Sequence, residues 1–140
     1  MMNEKAEKLT GGCLCGAVRY EVTAPLQGAD YCHCRMCQKA SGAPVATWTW
    51  VPLENFSYSK GEPVAYQSSP KSIRFFCGTC GSQLTARAAE APTEMVISLA
   101  TLDNPEVIKP EYHIWTSSQS SWFKIADNLP RHEEGSPSPT

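Results

Sequence analysis

Apolar and polar residues alternate along short segments of this chain, as they do in half-buried β-strands. The first clear example runs from Val18 to Val22, where Val18, Tyr20 and Val22 alternate with Arg19 and Glu21. Side chains at every second position of a strand point to the same face. This segment can therefore bury one face and expose the other.

Further segments rich in β-branched and aromatic residues predict more strands, separated by Gly, Pro and Ser. These segments are Val45 to Val51, Ile73 to Phe76, Met95 to Leu102 and Tyr112 to Thr116. Helix is predicted only from Arg35 to Ala40, ended by Gly42, and in a short segment from Trp122 to Ala126. The pattern predicts a mainly β protein with little helix.

Length and charge limit the possible classes of protein. A chain of 140 residues can bury one sizeable core, so we expect a single domain. It carries 12 Lys and Arg against 14 Asp and Glu, a net charge of -2, and no basic cluster, which argues against a nucleic-acid partner. Its first eight residues are polar, unlike a signal peptide, and no segment is long enough to span a membrane. We therefore expect a cytoplasmic protein without a membrane partner.

The two ends are expected to lie outside the folded domain. Residues 1–9 are assigned to a flexible N-terminus, residues 10–130 to the domain, and residues 131–140 to a disordered tail. The tail contains too little apolar surface to order itself by burial.

Seven cysteines fall into three tight groups along the sequence. The groups are Cys13-Leu14-Cys15, Cys32-His33-Cys34-Arg35-Met36-Cys37 and Cys77-Gly78-Thr79-Cys80. In a reducing cytoplasm, cysteines at this spacing indicate metal ligands rather than disulfides, and an odd number weakens the disulfide reading further. Zinc prefers about four ligands, so seven thiolates divide most economically into a closed site of four and an open site of three.

Glycine-flanked cysteine pairs indicate the closed site. The segment from Cys77 to Gly81 has the form Cys-Gly-x-Cys-Gly, a zinc knuckle that needs two further ligands, and Cys13 and Cys15 can supply them. Closing the long loop between the pairs costs little because this entropy grows only logarithmically with length, whereas a structural zinc contributes about 10–16 kcal/mol. The alternative is that the pairs are merely small buried residues.

The remaining trio, Cys32, Cys34 and Cys37, is the candidate catalytic site. Three ligands leave one coordination position for water or substrate. Three thiolates on a divalent ion leave a charge near -1, which makes a poor generator of hydroxide but suits the capture of a substrate thiol as thiolate. The substrate is thus predicted to carry sulfur. Arg35 and Lys39 could offset the negative charge or bind a substrate carboxylate, or could simply be solvated.

Other interpretations of this region remain open at this stage. His33 could be a fourth ligand, although neighbours in an extended segment point to opposite sides, and the trio could be a second structural site. A zinc hydrolase would need a general base, for which only His33 and His113 are plausible. His113 could equally be an ordinary strand histidine. The four tryptophans could line a pocket, but large aromatics on strands usually fill a core; they are Trp48, Trp50, Trp115 and Trp122.

Several motifs, in order, resemble the glutathione-dependent formaldehyde-activating enzyme family, which also includes centromere protein V. The matching segments are Gly11 to Tyr20, Cys32 to Gly42, Phe76 to Ser82, Ala100 to Pro105, His113 to Trp115 and Trp122 to Pro130. The resemblance covers about residues 10 to 130. Several spaced motifs are far more specific than one cysteine pair.

The resemblance implies a β-tent-like fold of short antiparallel strands that binds two zinc ions. It implies a structural ion on Cys13, Cys15, Cys77 and Cys80, and a catalytic ion on Cys32, Cys34 and Cys37. The implied activity is that of a carbon-sulfur lyase, with glutathione and formaldehyde giving S-(hydroxymethyl)glutathione. The family also implies an alternative, a non-enzymatic zinc module that binds a protein partner. A monomer and a homodimer both fit the sequence.

Overall fold

The computed structural model describes residues 8–135, which form ten β-strands, one α-helix and four short 3-10 helices. The strands are β1 Leu9–Gly12, β2 Arg19–Val22, β3 Gln27–Cys32, β4 Ala46–Pro52, β5 Phe56–Lys60, β6 Val64–Ser69, β7 Ser72–Phe76, β8 Gln83–Ala88, β9 Glu94–Ser98 and β10 Tyr112–Ile114. The α-helix, α1, spans Arg35–Ser41, and the 3-10 helices span Leu53–Asn55, Leu99–Thr101, Pro105–Val107 and Thr116–Ser118. The predicted mainly β fold with little helix is confirmed.

The strands form two sheets. One contains three strands in the order β1-β2-β5, and the other contains seven in the order β10-β3-β4-β9-β8-β7-β6. Within the described residues the paired strands run antiparallel, except that β10 is parallel to β3. Strand β3 is therefore an interior strand, held by ladders on both sides, and this fixes the position of the cysteine at its end.

The main hydrophobic core takes side chains from both sheets. Tyr20 and Val22 of β2 cluster with Val51, Leu84 and Ile97 of the larger sheet, and all five are fully buried. Burying a large apolar side chain stabilises a fold by about 1.5–3 kcal/mol. A second, smaller cluster surrounds Cys32, Cys37 and Trp48. The three cysteines Cys32, Cys34 and Cys37 thus belong to this second hydrophobic cluster and not to the main core.

The helix is positioned by capping at both ends. Cys34 is its N-cap residue, and the Cys34 sulfur accepts a hydrogen bond from the Cys37 backbone N–H. Gly42 ends the helix with φ 70°, a left-handed conformation that glycine adopts without the Cβ penalty. The predicted helix is therefore confirmed, and its first turn brings Cys34 and Cys37 together.

The strands predicted near Val18, Val45, Ile73, Met95 and Tyr112 are all present, but β9 and β10 end at Ser98 and Ile114, before the predicted ends at Leu102 and Thr116. The second helix predicted from Trp122 to Ala126 is wrong, because the chain there forms a turn and loop. Strands β1, β3, β5, β6 and β8 were not predicted. Within residues 8–135, no helix is both long and apolar enough to cross a membrane.

Residues 131–134, which the sequence analysis assigns to the tail, form backbone contacts with the chain around β10. The Thr116 N–H donates to the His132 carbonyl at 3.1 Å, and the Trp115 N–H donates to the Glu134 carbonyl at 2.8 Å. Arg131 forms a parallel bridge with His113. Residues 131–134 are thus ordered against the end of β10. Residues 136–140 of that tail, and residues 1–7 of the predicted flexible N-terminus, lie outside the described residues, whereas Leu9 already belongs to β1.

Candidate metal and substrate site

Four cysteines meet where the loop after β1 approaches the turn after β7. The sulfurs of Cys13, Cys15, Cys77 and Cys80 all lie within 4.8 Å of one another. Cys13 Sγ is 3.7 Å from Cys15 Sγ, which is 3.8 Å from Cys77 Sγ. Four sulfurs at about 2.3 Å from a tetrahedral ion are about 3.8 Å apart. The geometry therefore fits a closed zinc site, on the four residues that the sequence groups together.

Three of these sulfurs have hydrogen-bond partners. The Val18 N–H donates to Cys13 Sγ at 3.2 Å, and the Thr79 N–H donates to Cys77 Sγ at 3.3 Å. The Ser82 hydroxyl lies 3.2 Å from Cys80 Sγ, and this hydrogen bond leads the effects that lower the pKa of Cys80 to about 5. Metal ligands must be deprotonated, so the lowered pKa of Cys80 suits the binding of a cation.

The second group contains Cys32 at the end of β3 together with Cys34 and Cys37 of the helix start. Their sulfurs lie within 4.8 Å of one another, and Cys32 Sγ is 3.3 Å from Cys37 Sγ. Hydrogen bonds from Cys32 and then from Cys37 lower the pKa of Cys34 to about 2. Among the described residues no His, Asp or Glu joins this group. The set could hold a metal ion through three thiolates and leave one position open.

An arginine from a distant strand faces this trio. Arg74 of β7 places Nη2 3.6 Å from Cys37 Sγ, and its guanidinium lies 5.9 Å from the centre of the Trp48 ring. The sequence points to Arg35 and Lys39 as the residues that offset the negative charge of the trio. Arg35 instead donates to the side chain of Gln38. Arg74 was missed because it lies far from the trio in sequence and carries no local motif.

A cavity of about 850 Å³ borders the trio. Cys37, Trp48, Trp50 and Arg74 line it together with Asp30, which lies two residues before Cys32 on the same face of β3. A volume of this size is typical of a small-molecule site. Lys39 lines a different cavity, of about 580 Å³, on the other side of Arg74 with Met36 and Tyr66.

Asp30 is the most unusual residue of the larger cavity. Its exposed fraction is 7%, and its Oδ1 atom has no hydrogen-bond partner among the described residues. Burial, and then the nearby Cys37 sulfur, raise the pKa of Asp30 to about 8. Sequence reasoning missed this residue, since an isolated aspartate inside a short strand carries no signal of its own.

The two candidate histidines lie together on the opposite face of β3. His33 Nε2 is 2.9 Å from His113 Nδ1, and His113 Nε2 is 3.0 Å from an Asp127 carboxylate oxygen. Tyr31 stacks on the His113 ring. Burial, reinforced by His113, lowers the pKa of His33. Neither histidine lines either of these two cavities, so the structure does not support them as the base of a zinc hydrolase. Among the described residues, His33 does not join the three cysteines as a ligand.

The four tryptophans were considered as residues that line a pocket or fill a core, and they differ in their positions. Trp48 is buried and lines the large cavity together with Trp50. Trp115 and Trp122 are exposed, the latter at 72%. The expectation that all four fill a core is therefore wrong for the last two.

The chain matches a protein-family model and also resembles solved structures. The family model described as glutathione-dependent formaldehyde-activating enzyme matches residues 8–118, a range that contains all seven cysteines. Among solved structures, a crystal structure of a Rhodobacter sphaeroides protein is 27% identical, with a TM-score of 0.59, over 72% of this chain and 97% of that one.

Proposed function

Because the chain belongs to the glutathione-dependent formaldehyde-activating enzyme family, we propose that it is a zinc-dependent carbon-sulfur lyase that handles a thiol adduct. The proposed reaction joins the glutathione thiol to formaldehyde, or is a close relative of this reaction. A carbon-sulfur bond forms, and the thiol proton ends on the former carbonyl oxygen to give S-(hydroxymethyl)glutathione. The reverse direction breaks the same bond.

The observation that carries this proposal is the incomplete ligand set of Cys32, Cys34 and Cys37 beside a cavity of about 850 Å³. Zinc bound there would supply a fourth position that holds a substrate thiol in its thiolate form. The aromatic walls of the cavity, with Trp48 and Trp50, would limit access of water and hold two small reactants close together.

Residues of the protein would balance the charge of the site and hold its strands in place. Arg74 donates to Cys37 and so compensates the excess negative charge of a three-thiolate site. With a thiol already deprotonated, no separate general base is needed, in agreement with the position of His33 and His113 on the other face of the sheet. Cys13, Cys15, Cys77 and Cys80 are assigned a structural ion that joins the end of β1 to the end of β7.

The proposal is tested by comparing Cys34→Ser with Cys80→Ser. Elemental analysis of the metal-replete wild type should give two zinc ions per chain. Cys34→Ser should keep the fold and one zinc but lose thiol-dependent consumption of formaldehyde. Cys80→Ser should lose the folded state, because a structural zinc contributes about 10–16 kcal/mol.

Three results would count against this division of roles. One zinc per wild-type chain would remove the second site, and equal loss of fold in both variants would show that both sites are structural. Two zinc ions without any thiol-dependent activity would favour the alternative, a non-enzymatic module that binds a protein partner.

A further inference from the structure

The carboxyl group of Asp30 lacks the hydrogen bonds that a buried polar group normally has. It is more than nine-tenths buried, it lines the cavity beside the trio, and its Oδ1 atom has no partner among the described residues. Leaving such a group without a partner costs free energy, and most buried polar atoms in folded proteins are paired. A group that enters the cavity with an N–H donor would satisfy it.

Asp30 also lies close to the three cysteines along β3. The ladder pairs Asp30 with Trp48 and Cys32 with Ala46, so β3 is regular here and both side chains project from one face. Two residues of a strand span about 7 Å. A substrate whose sulfur lies beside Cys32 and Cys37 therefore has Asp30 within reach of a short linker.

The charged residues around this cavity favour a cation. Three acidic residues line it, Asp30, Glu90 and Glu94, and Arg74 is the one basic residue of that lining. The Arg74 guanidinium already donates to Cys37, Gln83 and Ser68. The neighbouring cavity of about 580 Å³ has the opposite character, because its charged residues are Lys39 and Arg74.

We propose that Asp30 binds the ammonium group of the substrate, so that this site selects thiols that also carry an amino group. Glutathione, with its γ-glutamyl amino group, belongs to this class, as do shorter amino thiols. The inference rests on the proposed function, because it takes the substrate sulfur to bind beside Cys32, Cys34 and Cys37.

The test is calorimetric titration of the zinc-loaded wild type and Asp30→Asn with two matched pairs of thiols. Cysteamine is paired with 2-mercaptoethanol, and glutathione with its N-acetyl derivative. The wild type should bind the amino member of at least one pair about tenfold to a hundredfold more tightly, the scale of a charge-assisted hydrogen bond. Asp30→Asn should remove most of this preference by weakening the amino thiol alone.

Glu90→Gln is the matched control, because it removes one negative charge from the exposed edge of the same cavity. It should change the preference by less than about threefold, since exposed charges are strongly screened. Zinc content and the urea midpoint of Asp30→Asn verify its fold. Should that variant fail to fold, the wild type still tests whether the site prefers an amino thiol. Glutathione and its N-acetyl derivative differ at the amino group and not at the thiol, so equal binding of the two would count against the inference.

The outcomes separate the inference from the function on which it rests. Equal binding of both members of each pair by the wild type, or an unchanged preference in a folded Asp30→Asn, overturns the inference and leaves the thiol site standing. Absence of binding by all four thiols overturns both.

Discussion

Replacing Arg74 should weaken metal binding at the three-cysteine site while leaving the four-cysteine site intact. Three thiolates on a divalent ion carry a net charge near -1, and Arg74 Nη2 lies 3.6 Å from Cys37 Sγ. At an effective dielectric constant of about 20, opposite unit charges at that distance attract by about 5 kcal/mol. Water and the neighbouring side chains would replace part of this attraction in a variant. Loss of a residue that supports a metal ligand typically lowers affinity about tenfold to a hundredfold, and we expect Arg74→Gln to fall in that range.

The assay is competition for zinc between the protein and a chromogenic chelator, which resolves two classes of site when their affinities differ. Arg35→Gln is the matched control. Arg35 neighbours Cys34 in sequence, but it is exposed and its guanidinium contacts the side chain of Gln38. We therefore expect a change of less than about twofold, in keeping with the weakness of surface electrostatic effects.

Two outcomes would refute this reasoning. Equal weakening by Arg35→Gln and Arg74→Gln would show that general positive charge, rather than the Arg74 contact, supports the trio. Equal weakening of both metal sites by Arg74→Gln would show that the substitution acts through the fold, for example through its contact with Trp48.

The packing makes two further predictions, both measured by urea unfolding with the slope checked for constancy. Gly61 and Gly42 have nearly the same φ, 69° and 70°. A Cβ atom added at Gly61 would lie 2.2 Å from the Ala17 carbonyl oxygen, whereas one added at Gly42 would meet nothing within 4 Å. Gly42→Ala should cost about 1–2 kcal/mol from the left-handed backbone alone, and Gly61→Ala clearly more; equal costs would contradict the steric argument. Leu84→Ala should cost about 2–5 kcal/mol because Leu84 is fully buried, and a loss below about 1 kcal/mol would show that the core there is loosely packed.

Local signals in the sequence were sufficient for the grouping of the cysteines and for α1. The spacing of Cys32, Cys34 and Cys37 restricts their sulfurs to a small volume, and Gly42 ends the helix as expected. The alternation of Val18, Tyr20 and Val22 likewise predicts β2 correctly. Tyr20 and Val22 lie in this strand, Val18 directly precedes it, and all three side chains are buried. In each case the determining contacts are close in sequence.

The residues that were missed depend on the pairing of distant strands. Asp30 and Arg74 reach the same cavity because β3 and β7 belong to one seven-stranded sheet, in which they are separated by β4, β9 and β8. No hydrophobic period marks β3, whose sequence Gln27–Cys32 mixes polar and small residues. Strand β6 was missed for a different reason, since it lies at the sheet edge and is largely exposed.

The C-terminal segment shows the limit of judging order from apolar content. Residues 131–134 bury little apolar surface, yet their backbone carbonyls accept hydrogen bonds from the Trp115, Thr116 and Ser117 N–H groups. Backbone groups form such pairs whatever the side chains are. Composition therefore could not predict this contact.

The register of the sheet connects the two cysteine groups in a way that their spacing in the sequence does not reveal. Cys77 directly follows β7, and Arg74 lies within that strand, three positions before Cys77. An ion bound by Cys77 and Cys80 would therefore fix the end of the strand whose arginine contacts Cys37. On β3, alternation places Asp30 and Cys32 on the cavity face, while Tyr31 and His33 pack against His113 on the other. The four cysteines and the buried histidines thus have one feature in common: each group lies against a strand, β7 or β3, that contributes Arg74 or Asp30 to the cavity beside the trio.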